Sequence, residues 1–155
     1  MLIVWNEDYK ELMSETPTNN KATFTWPVRV YWEDTDAGGV VYYANYLKFL
    51  ERARTEWLSA LGLEQDHLAQ EAGVVFVVRR VEADYLKPAR FNDRLTVHSE
   101  LTELNRASLQ MTQLIVRGEE ILLRAQIKVA CIEHAVFRPA KIPLVVTEAF
   151  AGRSI

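Results

Sequence analysis

The chain has 155 residues, 49% of them apolar and 25% charged, with a net charge of −3. That length is enough for one self-supporting core, and the chain lacks the basic excess of a nucleic-acid-binding protein. A single cysteine, Cys131, excludes an intrachain disulfide framework, so no oxidising compartment is required.

Residues 1–22 read as an N-terminal extension. They have neither the basic start nor the apolar run of about 7–15 residues that a signal peptide needs. No run anywhere approaches the roughly 18 apolar residues needed to span a bilayer. The expected location is the cytoplasm. Residues 14–20 are polar and turn-prone, which predicts a loosely ordered arm. Residues 23–155 are expected to form a single domain.

Residues 23–32 read as a strand. Val28, Val30 and Trp32 alternate with Arg29 and Tyr31, and Pro27 predicts either the start of that strand or an edge position. A turn-rich loop over 33–39 leads into a long helix beginning near Ala44. Its apolar stripe is Leu47, Leu50, Ala53, Trp57, Leu58 and Leu61. Arg52 and Glu56 are spaced for an i,i+4 pair, and Gly62 is a C-terminal stop. A shorter helix is expected over 65–71, closed by Gly73.

The second half changes character. Residues 74–85 are rich in β-branched and aromatic side chains; Pro88, Asn92 and Asp93 interrupt them. Residues 95–104 and 107–116 alternate apolar with polar, Gly118 and Glu119 suit a hairpin turn, and 121–132 is another strand. Consecutive strands with short connections predict an antiparallel meander, and Pro139 and Pro143 predict an irregular tail. One strand, a long helix and four more strands make an α+β fold. The helix must bury its stripe on a five-stranded antiparallel sheet.

Dinucleotide, P-loop and serine-elbow motifs are absent, so no cofactor is expected. His67, His98 and His134 stand more than thirty residues apart, without metal-ligand spacing, so no metal is expected either. Asp34 and Asp36 open like a calcium loop, but Gly38 and Asn45 fall where ligands are required. Cys131 sits in an apolar alternation with Ile127 and Val129 and reads as a buried, inert thiol.

What remains is the run Glu33, Asp34, Asp36, Ala37, Gly38, Gly39. By composition alone it is a helix-entry loop. Chemically it offers more. A carboxylate beside a glycine pair lets a ligand approach the backbone at Gly39. The free amides at the start of the following helix can hold an oxyanion. A carboxylate base or nucleophile facing such amides is what acyl transfer needs.

The stretches YWEDTDAGGVVYYANYLKFLERARTEWL and FVVRRVEADYLKPARFNDRL resemble the hotdog acyl-CoA thioesterases of the 4-hydroxybenzoyl-CoA thioesterase type. The likeness runs over residues 26–150 and is strongest to the YbgC branch, which is associated with the Tol-Pal envelope system. It implies a hotdog fold, with the long helix wrapped by the sheet. It also implies thioester hydrolysis, with Asp36 as general base or nucleophile and the backbone N–H of Tyr43 as oxyanion donor. Relatives often carry His at the position of Tyr43, so no acid–base role is assigned to that side chain. The resemblance further implies homodimers or homotetramers with active sites between subunits. Phe76, Val77 and Val78 are expected to wall the acyl group, and Lys87, Arg90 and Arg80 to meet the CoA phosphates. A dehydratase on the same fold is an alternative reading, though it would need a His beside Asp36. A binding module for acyl carrier protein or for phospholipid-synthesis enzymes is another.

Overall fold

The computed structural model describes residues 22–151, so the expected arm lies, apart from Ala22, outside the described residues. Five long strands and one short one form a single antiparallel sheet. They are β1 (Thr23–Arg29), β2 (Val74–Tyr85), β3 (Arg94–Leu104), β4 (Ser108–Arg117), β5 (Glu120–Glu133) and the two-residue β6 (Arg138–Pro139). The strand order is β1-β3-β4-β5-β2, with β6 on the end of β5. The expected meander therefore holds only for β3, β4 and β5. β2 pairs with β5, not with β3. The reason lies in residues 86–93: the N–H groups of Leu86 and Lys87 donate to Leu122, while those of Asn92 and Val30 exchange bonds with Val30 and Asp93. This connection crosses the end of the sheet, which a hairpin loop of about 2–5 residues does not do.

β1 stops at Arg29, three residues short of Trp32. Trp32–Asp34 instead form one tight helical turn, and Trp32 is 72% exposed. The alternation survives where the ladder does: Phe24 and Val30 are buried, while Thr25, Pro27 and Arg29 are exposed. Pro27 sits mid-strand at the sheet edge.

The long helix α1 (Asn45–Ala60) packs on the sheet's inner face. Its buried side chains are Tyr46, Phe49, Leu50, Ala53, Trp57 and Leu58. Leu47 is exposed instead, so the true stripe lies one residue round from the expected one at its first turn. The aromatics at 46 and 49 bury more apolar area there than Leu47 would. Trp57 is fully buried, stacked on Phe24 at 6.0 Å and meeting Phe150 edge-on at 5.1 Å. The Arg52–Glu56 pair does not form among the described residues; Thr55 instead donates to the Glu51 carboxylate at 2.8 Å.

α1 ends in a paired closure. Gly62 N–H donates to Ser59 O at 2.9 Å and Leu63 N–H to Leu58 O at 2.8 Å. Gly62 takes φ +80, a conformation that costs other residues about 1–2 kcal/mol. α2 (Gln65–His67) runs on through a wider turn, Leu68–Ala72, to Gly73. The tail is helical, not irregular: Pro143 precedes α3 (Leu144–Phe150), which buries Val146 and Phe150. Their i,i+4 spacing closes the core over Trp57.

One polar chain crosses this core. Gln113, fully buried on β4, donates to Ser99 Oγ (2.9 Å) and to the α1 carbonyl of Leu50 (3.1 Å). Its own side-chain oxygen accepts from Arg54 at 2.8 Å. Among the described residues, no helix is long and apolar enough to cross a membrane.

Candidate active site

Residues 34–42 fold into a miniature hairpin. Asp36 N–H donates to Val40 O and Tyr42 N–H to Asp34 O, both at 2.9 Å. Thr35 and Val41 bridge between them. A second layer supports the first: Val40 bridges to Arg90, and Val41 N–H donates to Ala89 O at 2.9 Å. The hairpin is thus fixed to the crossing connection, and its outgoing arm leads directly into α1.

The two aspartates have different tasks. Asp34 is buried. Its carboxylate accepts the Tyr31 N–H at 2.8 Å, and its carbonyl accepts the Asn45 side-chain amide at 2.9 Å. Asp34 therefore ties the start of the loop to the start of α1. Asp36 is exposed at the hairpin tip. One of its oxygens accepts the Gly38 N–H at 2.8 Å; the other has no donor among the described residues. Gly39 takes φ +77 and donates to Asp36 O at 3.0 Å, which turns the chain.

Tyr43 stands on the arm that enters α1. Its carbonyl accepts the Tyr85 hydroxyl at 2.8 Å, while its own N–H has no acceptor among the described residues. α1 carries no acid in its first turn and no side-chain cap. Among its leading amides, Asn45 N–H already donates to Tyr42 O at 2.8 Å and Leu47 N–H to Ala44 O at 3.1 Å, which leaves the Tyr43 N–H, just before the helix, open to an anion. Burial pushes the Tyr85 and Tyr46 phenols up from their ordinary pKa. At neutral pH both stay protonated and serve as hydrogen-bonding groups. Tyr46 accepts the Ala89 N–H at 3.0 Å. Tyr46 and Tyr85 had no sequence signal, because their contacts to Ala89 and Tyr43 span more than forty residues.

The expected acyl wall is only partly assembled. Phe76 and Val78 line a cavity of about 120 Å³ with Arg54, Leu109, Met111 and Phe150. Val77, on the opposite face of β2, does not. The cations also divide. Lys87 pairs with Glu120 at 3.0 Å, and Arg80 pairs with Glu82. The Arg90 side chain has no partner among the described residues, and its backbone lies beside the Asp36 hairpin.

Comparison with known proteins agrees with this architecture. Residues 30–150 match the thioesterase-like superfamily. The acyl-CoA thioesterase YbgC of Haemophilus influenzae is 44% identical over 127 residues, 82% of this chain and 93% of that protein. The Escherichia coli acyl-CoA thioester hydrolase YbgC is 46% identical over 125 residues, 80% and 92% of the two chains. Among solved structures, a probable thioesterase from Bartonella henselae superposes with a TM-score of 0.74 at 36% identity, covering 79% of this chain and all of that one. The sheet packed on one long helix is thus the fold of known thioesterases, and the chain belongs to the thioesterase-like superfamily with the hotdog fold.

Proposed function

We propose that this protein hydrolyses acyl-CoA to a free acid and coenzyme A, with Asp36 at the reacting centre. One observation carries the reading: an exposed carboxylate, aimed through one oxygen by Gly38, stands on the small hairpin whose outgoing arm runs directly to the unsatisfied N–H of Tyr43. The thioester carbonyl would accept from Tyr43, whose amide then faces the oxyanion as it forms. Asp36 either removes a proton from water or attacks the carbonyl carbon itself. In both routes the C–S bond breaks and the electron pair leaves on sulfur; after direct attack the acyl group is held on Asp36 as a mixed anhydride, which a water molecule then hydrolyses to the free acid and the regenerated carboxylate. A thiol of pKa about 8.5 leaves as thiolate without a proton donor, consistent with a tyrosine where relatives often carry histidine.

The similarity to YbgC thioesterases supports the same substrate class. The cavity beside Phe76 and Val78 holds about 120 Å³, well below the roughly 300–1,000 Å³ of complete ligand sites. A second copy, joined through the open edge of β2, would complete it as a dimer or tetramer. The proposed setting is the cytoplasm. Acyl carrier protein, which presents its acyl group on a thioester too, is a second candidate donor. The test is thiol release from an acyl-CoA panel. Asp36→Asn is expected to lower kcat by about 10²–10⁴-fold with unchanged circular dichroism; a near-normal rate would remove Asp36 from the reaction.

A further inference from the structure

The surface beside the Asp36 hairpin carries a feature that hydrolysis at Asp36 does not require. Trp32 and Phe91 stack with ring centroids 3.8 Å apart and planes 14° apart. Phe91 covers one face of the indole, and 72% exposure leaves the other face open. An indole held flat against water is costly unless something covers it.

Three arginines lie on the segments that carry the stack. Arg29 and Arg94 are direct partners on the β1–β3 ladder, a like-charge pairing that costs roughly 0.2–1 kcal/mol. Arg29 reaches the neutral side-chain oxygen of Asn92, at 2.8 Å, next to Phe91. Arg90 precedes Phe91 and is bridged to Val40 of the hairpin. None of the three guanidinium groups has a carboxylate partner among the described residues, though the Arg90 backbone N–H donates to Asp93 at 2.8 Å. Asp93, the acid nearest them in sequence, is taken by Arg117 at 2.7 Å. Glu33, beside Trp32, bonds to none of them. In a protein of net charge −3, three guanidinium groups free of ion pairs among the described residues are gathered on the segments beside an open aromatic face.

An aromatic face meets the flat side of a base, and guanidinium groups meet phosphate. We propose that Trp32, backed by Phe91, is the stacking platform for the adenine ring of coenzyme A, with Arg29, Arg90 and Arg94 receiving its phosphates. The inference rests on the acyl-CoA reading above and deepens it: the site selects CoA thioesters over carrier-protein thioesters, which have no adenine.

Calorimetric titration of the full chain with adenosine 3′,5′-bisphosphate tests it directly. Saturable binding is expected, about tenfold weaker in Trp32→Ala and partly restored in Trp32→Phe, with Arg29→Gln and Arg94→Gln weakening it and flattening its salt dependence. Adenosine alone and inorganic phosphate alone are expected to bind far more weakly. In hydrolysis assays, the ratio of kcat/KM for acyl-CoA to that for acyl-pantetheine should fall about tenfold in Trp32→Ala. The proposal is overturned if the wild-type chain hydrolyses acyl-CoA yet does not bind the bisphosphate, or if Trp32→Ala binds it as wild type does. It is also overturned if Trp32→Ala changes the mass in solution, or if the patch binds anionic vesicles and not the bisphosphate. Failure of the wild-type chain to hydrolyse any acyl-CoA overturns the thioesterase reading itself.

Discussion

The sheet has two edges, and they are built differently. β1 is seven residues long and carries Pro27 mid-strand with Arg29 at its end. β2 is twelve residues long and has no proline. It exposes Val78 and Val81 among charges of both signs, Arg79, Arg80, Glu82 and Asp84. A short edge with a proline lacks a donor that an added strand would use. A long edge with apolar and mixed-charge side chains suits pairing about a two-fold axis, where like segments meet in reverse. One edge ends the sheet and the other leaves it ready to continue.

The largest expected effect comes from closing the open edge. Val78→Lys combined with Val81→Lys should reduce the mass seen by analytical ultracentrifugation to a single chain and cut acyl-CoA hydrolysis by at least about tenfold. Thr25→Lys on β1 should leave the mass as it is. An unaltered mass in the β2 double variant would show that assembly uses another surface. Next comes the strand between the edges. Gln113→Leu strands Ser99 and Arg54 without their partner and should cost about 1–3 kcal/mol by urea denaturation. Ser99→Ala should couple to it non-additively.

Opening the closed edge is a smaller change. Pro27→Thr should leave folding stability within about 0.5 kcal/mol but raise light scattering on mild heating, as β1 gains a donor. The smallest effect concerns how the end of β2 is held. Lys87, just past β2, pairs with Glu120 on β5, and Lys87 holds the Glu120 carboxyl below its ordinary value of 4.5. A depressed folded-state pKa means that stability is present above the unfolded value and lost as pH falls through the folded one. Both groups are exposed, so the effect is slight. Glu120→Gln should lower the urea midpoint slightly at pH 7 and flatten its acid limb, the difference from wild type closing as pH falls below the ordinary carboxyl value of 4.5.

The sequence exposed what is local and periodic. The long helix, its glycine stop, the Gly118 turn and each long strand follow from spacing, because side chains four or two residues apart share a face whatever the tertiary context. It did not expose which strands are neighbours: β2 reads the same whether it pairs with β3 or β5. Leu47 misled for a similar reason, since a stripe can be drawn through 47 or through 46 and 49 until the opposing sheet chooses. The α3 helix was hidden behind Pro143, although Val146 and Phe150 carried its period. At the candidate site, the acids and glycines were visible as a run. Their division into buried Asp34 and exposed Asp36 depends on Tyr42 and Asn45 arriving from the other arm. The Trp32–Phe91 stack joins residues 59 positions apart in a chain whose numbering alone gives no hint of it.

Gly38 has a consequence for how tightly Asp36 is aimed. A Cβ at position 38 would lie 3.1 Å from the Asp36 oxygen that the Gly38 amide holds. Any side chain there would shift that oxygen by a few tenths of an ångström while leaving the fold intact. The missing methyl therefore works as a gauge: it sets the distance between the turn and the carboxylate, and with it the tilt of the second oxygen. Misplacement by about 1 Å can cost a reaction about a hundredfold, so under the proposed role of Asp36 the absence of a side chain at Gly38 governs the accuracy of its carboxylate.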